Sequence, residues 1–155
     1  MFGWEIDLFL RKDSHCRLAF HNGGLYFPEN LPLDIQYPAI FVINVQLLQA
    51  GKHWVAVYID AFKRGYYFDS FGLPPSNDKI IVFLQRVTCV WKNSLVSIQC
   101  VTSKKCGFFC LYFLYYKSRG WSLEQILQPF YKFGVLKNDS FISTWFQNRS
   151  LSRTL

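Results

Sequence analysis

Acidic residues are absent from a long stretch of this chain: between Lys79 and Leu123 there are seven Lys or Arg and no Asp or Glu. A second absence is of long apolar runs. The longest, FFCLYFLYY over 108–116, has nine residues, against the roughly 20 that a membrane-spanning helix needs, so it reads as buried core. The beginning, MFGWEIDLFLRKD, mixes acids, bases and aromatics and lacks the ordered regions of a signal peptide. That argues for an intracellular protein with reduced thiols. No close Cys-x-x-Cys or Cys/His pair occurs twice, which excludes the usual zinc-site spacing and leaves no metal site to name. The cysteines number five, an odd count that argues against a disulfide framework. There is neither an internal repeat nor a low-complexity segment.

What is present suits a folded enzyme-sized unit. With 155 residues, 51% of them hydrophobic and 19% aromatic, the chain can bury a substantial core, and a single domain over 1–155 is expected. The net charge of +7 reads as a basic surface or as a site for a polyanion. In the second case Lys79, Arg86, Lys92, Lys104, Lys105, Lys117 and Arg119 are the candidate contacts. With no base-reading motif among them, DNA binding there would be electrostatic, indifferent to sequence and weakened by salt.

Turn signals fall at NGG (22–24), PENLPLD (28–34), QAGK (49–52), KRG (63–65) and GLPPSND (72–78). AIFVIN (39–44) is continuously apolar, as a strand covered on both faces would be. HWVAVYID (53–60) and GYYFDS (65–70) read as a hairpin, and SLVSIQ (94–99) as a fourth strand. DKIIVFLQRVT (78–88) has a helical period starting at Asn77 or Asp78. CGFFCLYFLYYKSRG (106–120) is apolar nearly all round and reads as a buried central helix stopped by Gly120. Ser122 and Gln125 form a capping box, and Asn138 or Asp139 caps a last helix around SFISTWFQN. The N-terminal segment holding His15 and His21 reads as loop. The sum is an α+β fold, a central mixed sheet flanked by helices.

The stretch SKKCGFFC (103–110) holds Cys106 and Cys110, with Cys100 just upstream. Burial as filler is the ordinary fate of cysteine and is the expectation for Cys110, Cys100 and Cys16. Cys106 differs, because it opens the long helix, where free N–H groups and the dipole favour negative charge, and follows Lys104 and Lys105. Both effects favour the thiolate, the nucleophilic form. Gly107 beside it would let a substrate backbone come close. A cysteine nucleophile needs a histidine and a group to orient it. His53 opens its strand, and Asp69 stands sixteen residues later across the hairpin. If the hairpin pairs as expected, the two meet at one end of the sheet, with one ring nitrogen of His53 turned to Cys106.

His53-Trp54, Asp69-Ser70-Phe71-Gly72, Gln99 and Cys106-Gly107, in that order, resemble the adenovirus-type (adenain-like) cysteine endopeptidases and, more broadly, the Ulp/SENP class of ubiquitin-like-protein proteases. The flanking IFVIN, YYFDSFGLPP and CGFFCLYFLYYKSRG are closest in pattern to the adenain-like proteases of Maverick/Polinton elements and related DNA viruses. The resemblance covers about Phe41 to Gly120. It implies Cys106 as nucleophile, His53 as general base and then acid, Asp69 as the orienting carboxylate, and Gln99 as an oxyanion donor with the Cys106 N–H. Trp54 and Gly107 would bind substrate. The implied activity is proteolysis of viral or mobile-element precursors (capsid maturation) through an acyl-enzyme, after glycine-containing sites, in the host nucleus or the virion. No cofactor is needed for the chemistry, but the resemblance brings an activating viral peptide and non-specific DNA as partners. Cys89 stands near the family's peptide-linking cysteine, with buried filler as the favoured reading. The alternatives are an isopeptidase for ubiquitin-like modifiers and a non-catalytic DNA- or capsid-binding module; the intact His53, Asp69, Gln99 and Cys106 set argues against the latter.

Overall fold

A computed structural model describes residues 1–47 and 51–152; the turn expected at QAGK lies partly outside the described residues. The fold is α+β around a five-stranded mixed sheet. Strands β1 (Gly24–Tyr26), β2 (Ala39–Leu47), β3 (Gly51–Ile59), β4 (Arg64–Phe68) and β5 (Val90–Asn93) lie side by side in chain order. The central three are antiparallel, while β1 joins β2 and β5 joins β4 in parallel.

Continuous apolarity in β2 has the expected meaning. Ile40 and Val42 pack into one core and Phe41 and Ile43 into another, because alternate side chains leave opposite faces of a strand. On one face the sheet meets helix α3 (Asp78–Val87) through Ile80, Phe83, Leu84 and Val87. The other face meets helices α1 (Gly3–Lys12), α2 (Arg17–Asn22), α4 (Cys106–Lys117) and α6 (Gly134–Ser152). Helix α4 lies innermost, its Phe109, Cys110, Leu111, Phe113 and Leu114 without exposed surface, and Phe113 stacks on Phe68 of β4.

Local signals account for the well-read elements. Asn77 accepts the Lys79 N–H and starts α3. Ser122 and Gln125 form the reciprocal capping box of the short helix α5 (Leu123–Leu127). The β3–β4 turn is held by Asp60, whose carboxylate accepts the N–H groups of Phe62 and Arg64 and pairs with the Arg64 guanidinium at 2.7 Å.

Three expectations are corrected. Residues 94–99 form no strand; the edge strand is β5, just upstream, and Leu95, Val96 and Ser97 face outward in succession, without the alternation a ladder requires. The chain there crosses the sheet end, with the N–H groups of Ile98 and Gln99 both donating to the Ser70 carbonyl. The N-terminal segment is helical rather than loop: Ile6, Phe9 and Leu10 form a buried stripe that exposed Trp4 and Leu8 obscure in the sequence. His21 belongs to α2 and His15 to the turn before it, both exposed. Lastly, α6 begins at Gly134, so neither Asn138 nor Asp139 caps it.

Asn138 is instead buried inside α6 and donates to the carbonyls of Ile98 and Phe130 at 3.1 and 3.2 Å. Asn138→Ala leaves both acceptors unpaired and should cost about 1–3 kcal/mol in urea unfolding; a loss under a few tenths would show that these bonds do not brace the 94–99 segment.

Candidate active site

The start of β3, the residues following β4 and the start of α4 meet at one end of the sheet. His53 and Asp69 are both buried there, and His53 Nε2 donates to Asp69 Oδ1 at 2.9 Å. A carboxylate oxygen can only accept, so Nε2 carries the proton. The same Oδ1 accepts the Phe71 N–H at 2.8 Å, closing a tight turn in which the Gly72 N–H returns to the Asp69 carbonyl. Gly72 has φ +73, and a Cβ on it would lie 2.5 Å from the Val96 carbonyl carbon, so glycine is required by both conformation and space. Phe71 lies flat on the His53 ring, centroids 4.7 Å apart and planes 16° from parallel. Asp69 and Phe71 thus hold the imidazole by its edge and its face.

Cys106 is the first residue of α4. Its sulfur accepts the Trp54 N–H at 3.4 Å, and His53 is close enough to help lower its pKa. Since Nε2 is taken by Asp69, the nitrogen facing sulfur is Nδ1. Burial alone raises a thiol pKa, yet the bonds to His53 and the Trp54 N–H, the His53 charge and the Gly107 N–H outweigh it and hold Cys106 below the ordinary thiol value. Burial lowers the His53 pKa, but Asp69 and the Cys106 sulfur override it and push the imidazole up to about 9. Both directions favour the thiolate–imidazolium form of the pair. Neither Lys104 nor Lys105 is among the causes that lower the Cys106 value. Lys105 Nζ turns to the Asp139 carbonyl at 3.3 Å and Lys104 lies on the cleft wall.

The other cysteines separate cleanly. Cys110 is fully buried, donates to the Trp54 carbonyl at 3.3 Å, and is raised well above its ordinary value by burial. Burial pushes Cys16 up to about 12. The filler reading is corrected for two of them: Cys89 is exposed, and Cys100 is half-buried beside Thr102, whose hydroxyl lies 3.3 Å from its sulfur.

A cleft of about 530 Å³ opens over Cys106 and His53, lined also by Met1, Phe2, Gly3, Asn44, Lys52, Trp54, Phe71, Ser103 and Lys104. Trp54 is on that wall, and its indole Nε1 donates to the Met1 carbonyl at 3.3 Å. The space over Gly107 belongs to Met1: a Cβ on the glycine would lie 2.9 Å from the Met1 sulfur. This N-terminal wall has no motif in the sequence and was not legible there. Gln99 is buried beside the cleft, its Nε2 donating to the Ser103 carbonyl at 2.9 Å and its Oε1 accepting from Ser70 Oγ.

The seven cations of the acid-free stretch do not form one stripe. Lys79 and Arg86 share a groove with Glu29 and Asp78. Arg119 is engaged in a two-pronged pair with Asp13 at 2.9 and 3.0 Å and lies over the Tyr115 ring, tying α4 to the α1–α2 connection. Lys92 and Lys117 gather over the Tyr66 ring, with Arg64 close enough to help lower the Lys117 pKa, after burial and Lys92. Acids remote in sequence therefore face several of these cations in space.

No protein-family model matches the chain. It is 34% identical to a protease of bovine adenovirus 4 over 89 residues, covering 46% of this chain and 44% of that protein. It is 27% identical to a protease of frog adenovirus 1 over 115 residues, covering 63% of this chain and 56% of that protein. The chain thus resembles adenovirus-type proteases, and the matches span about half the length of these curated relatives.

The pair has a pH signature. Iodoacetamide alkylation of Cys106, followed by site-resolved mass spectrometry, should stay fast well below the pH where an ordinary thiol reacts, because the lowered pKa keeps the thiolate as protons are added. His53→Ala removes the stabilising partner and should move the titration upward, into or above the ordinary thiol range. An unchanged profile in that variant would show that His53 does not hold the thiolate.

Proposed function

We propose that the chain is a cysteine endopeptidase that cuts precursor proteins of a virus or mobile element. The observation that carries this reading is the buried His53–Asp69 bond with Cys106 on the other side of the imidazole, at the floor of an open cleft. Similarity to the two adenovirus proteases supports the peptidase class.

In the reaction, the Cys106 thiolate attacks the scissile carbonyl and forms a tetrahedral adduct. His53 then gives its Nδ1 proton to the leaving amine, and a thioester remains on Cys106. Water, deprotonated by the now neutral His53, attacks the thioester and releases the acid. Asp69 keeps the imidazole in the tautomer that points Nδ1 at sulfur. The oxyanion is met by the Cys106 N–H at the helix start and by the Gln99 side-chain amide. Met1 and Trp54 crowd the approach to Cys106, which favours glycine beside the scissile bond. Work on capsid or other precursors places the enzyme in the virion or the host nucleus. An activating viral peptide and DNA belong to the same reading, with Lys92, Lys117 and Arg64 around Tyr66 as the DNA contact.

A glycine-containing capsid-type peptide should be hydrolysed by the wild-type chain, alone or with added peptide and DNA. Cys106→Ala should abolish turnover, and Cys110→Ala should retain it. Release of a ubiquitin-like tag without peptide cleavage would move the assignment to an isopeptidase; turnover surviving Cys106→Ala would end it. Turnover should rise with pH through the lowered Cys106 pKa and fall as His53 loses its proton near 9, since the reactive pair needs the thiolate and the imidazolium together.

DNA affinity should weaken steadily as salt rises, show no sequence preference, and drop when Lys92 and Lys117 are both changed to Glu. Salt-independent binding, or none, removes DNA from the account.

A further inference from the structure

The cleft over Cys106 carries fixed charge of one sign on its walls. Its lining includes Lys52 and Lys104 and no Asp or Glu. Lys52 stands two residues before Trp54 on β3, and side chains two apart leave the same face of a strand. Both therefore reach the wall that Asn44 joins from its position opposite Trp54 on β2. Lys104 comes from a different part of the chain, the loop that leads into α4 two residues ahead of Cys106. Both lysines are exposed, and among the described residues no carboxylate pairs with either ammonium. Two acids of the neighbourhood are engaged elsewhere. Asp69 lies on the side of the imidazole away from Cys106 and pairs with it, and Glu5 turns its carboxylate to the Phe2 N–H at 2.6 Å. The thiolate does not use the lysines either, since neither is among the groups that lower the Cys106 pKa.

We propose that Lys52 and Lys104 are specificity-determining residues that select an acidic polypeptide segment, one carrying Asp or Glu on the flanks of the scissile bond. The inference rests on the protease reading for its substrate but not for its charge. Two unpaired ammonium groups leave a positive potential in the cleft, and low-dielectric walls concentrate such a field. A peptide that brings carboxylates gives both cations a partner on binding, whereas a basic peptide meets like charge. The residues next to the scissile bond face Met1 and Trp54, so the acids belong farther out along the peptide. Contacts made that far from the reacting carbonyl are the same before and during the reaction, so they act on KM and not on kcat.

The test compares two peptides that share a glycine-containing core and differ only in carrying Glu or Lys at the outer positions. The full chain should turn over the Glu peptide with kcat/KM about tenfold higher at low salt, because exposed ion pairs contribute a few-fold each. The difference should lie in KM and shrink as salt rises. Changing both Lys52→Glu and Lys104→Glu should reverse the order of the two peptides. Equal kcat/KM at low salt, or an unchanged preference for Glu in the double variant, overturns the inference. Should that variant fail to fold, the wild-type preference and its salt dependence decide alone. A wild-type chain that cleaves neither peptide removes the protease reading, and protection then decides whether the cleft takes an acidic segment. The Glu peptide should slow iodoacetamide alkylation of Cys106 at concentrations where the Lys peptide does not, and equal protection overturns the inference. Protection by an oligonucleotide but not by the Glu peptide assigns the lysines to DNA and overturns it as well.

Discussion

The buried hydrogen bond between His53 and Asp69 is the constraint on which the site depends. Both side chains are almost fully out of water, where an unpaired charge would cost several kcal/mol. Asp69 is satisfied by the imidazole and by the Phe71 N–H, and the imidazole by Asp69 on one nitrogen and Cys106 on the other. No member can be removed without stranding a polar group. Removing one partner of such a pair typically costs about 3–5 kcal/mol, so stability and chemistry are coupled at this point.

The sheet makes that pairing available. Because β2 is apolar on both faces, helices can pack on both sides, and α4 docks with its first residue at the sheet end where β3 begins. Trp54 ties the two elements together: its N–H binds the Cys106 sulfur and its carbonyl takes the Cys110 thiol, one turn further along α4. Cys110 thus acts as a spacer between helix and strand. The same strand that carries the imidazole fixes the height of the sulfur beside it.

Much of this was legible in the sequence, for local reasons. Period-two and period-3.6 patterns, the Asp60 turn and the Ser122 box lie within a few residues of what they organise. His53, Asp69 and Cys106 could be grouped because a hairpin brings its own ends together and a helix start favours a thiolate, although the groups that lower the Cys106 pKa are His53 and two backbone N–H donors and not the adjacent lysines. What was not legible depends on distant packing. Met1 over Gly107, Ser70 on Gln99 and Asn138 beneath Ile98 join residues 29 to 106 positions apart with no motif to announce them. The acids that face part of the acid-free stretch were hidden for the same reason, since Asp13 and Glu29 approach it only in the fold. Residues 94–99 have strand-like composition but lie beyond the edge that β5 already fills.

The proposed function makes Cys106 a thiolate activated by a neighbouring imidazolium and able to carry an acyl group. That step can be observed directly. The chain is mixed with a glycine-ending peptide thioester and quenched in acid within the first turnover, and the intact protein and its digest are then weighed. The account predicts one acyl increment, on Cys106 alone, labile to hydroxylamine and absent from Cys106→Ala. Hydrolysis without any covalent adduct, or an acyl group found on Cys89 or Cys100 with Cys106 bare, would contradict it.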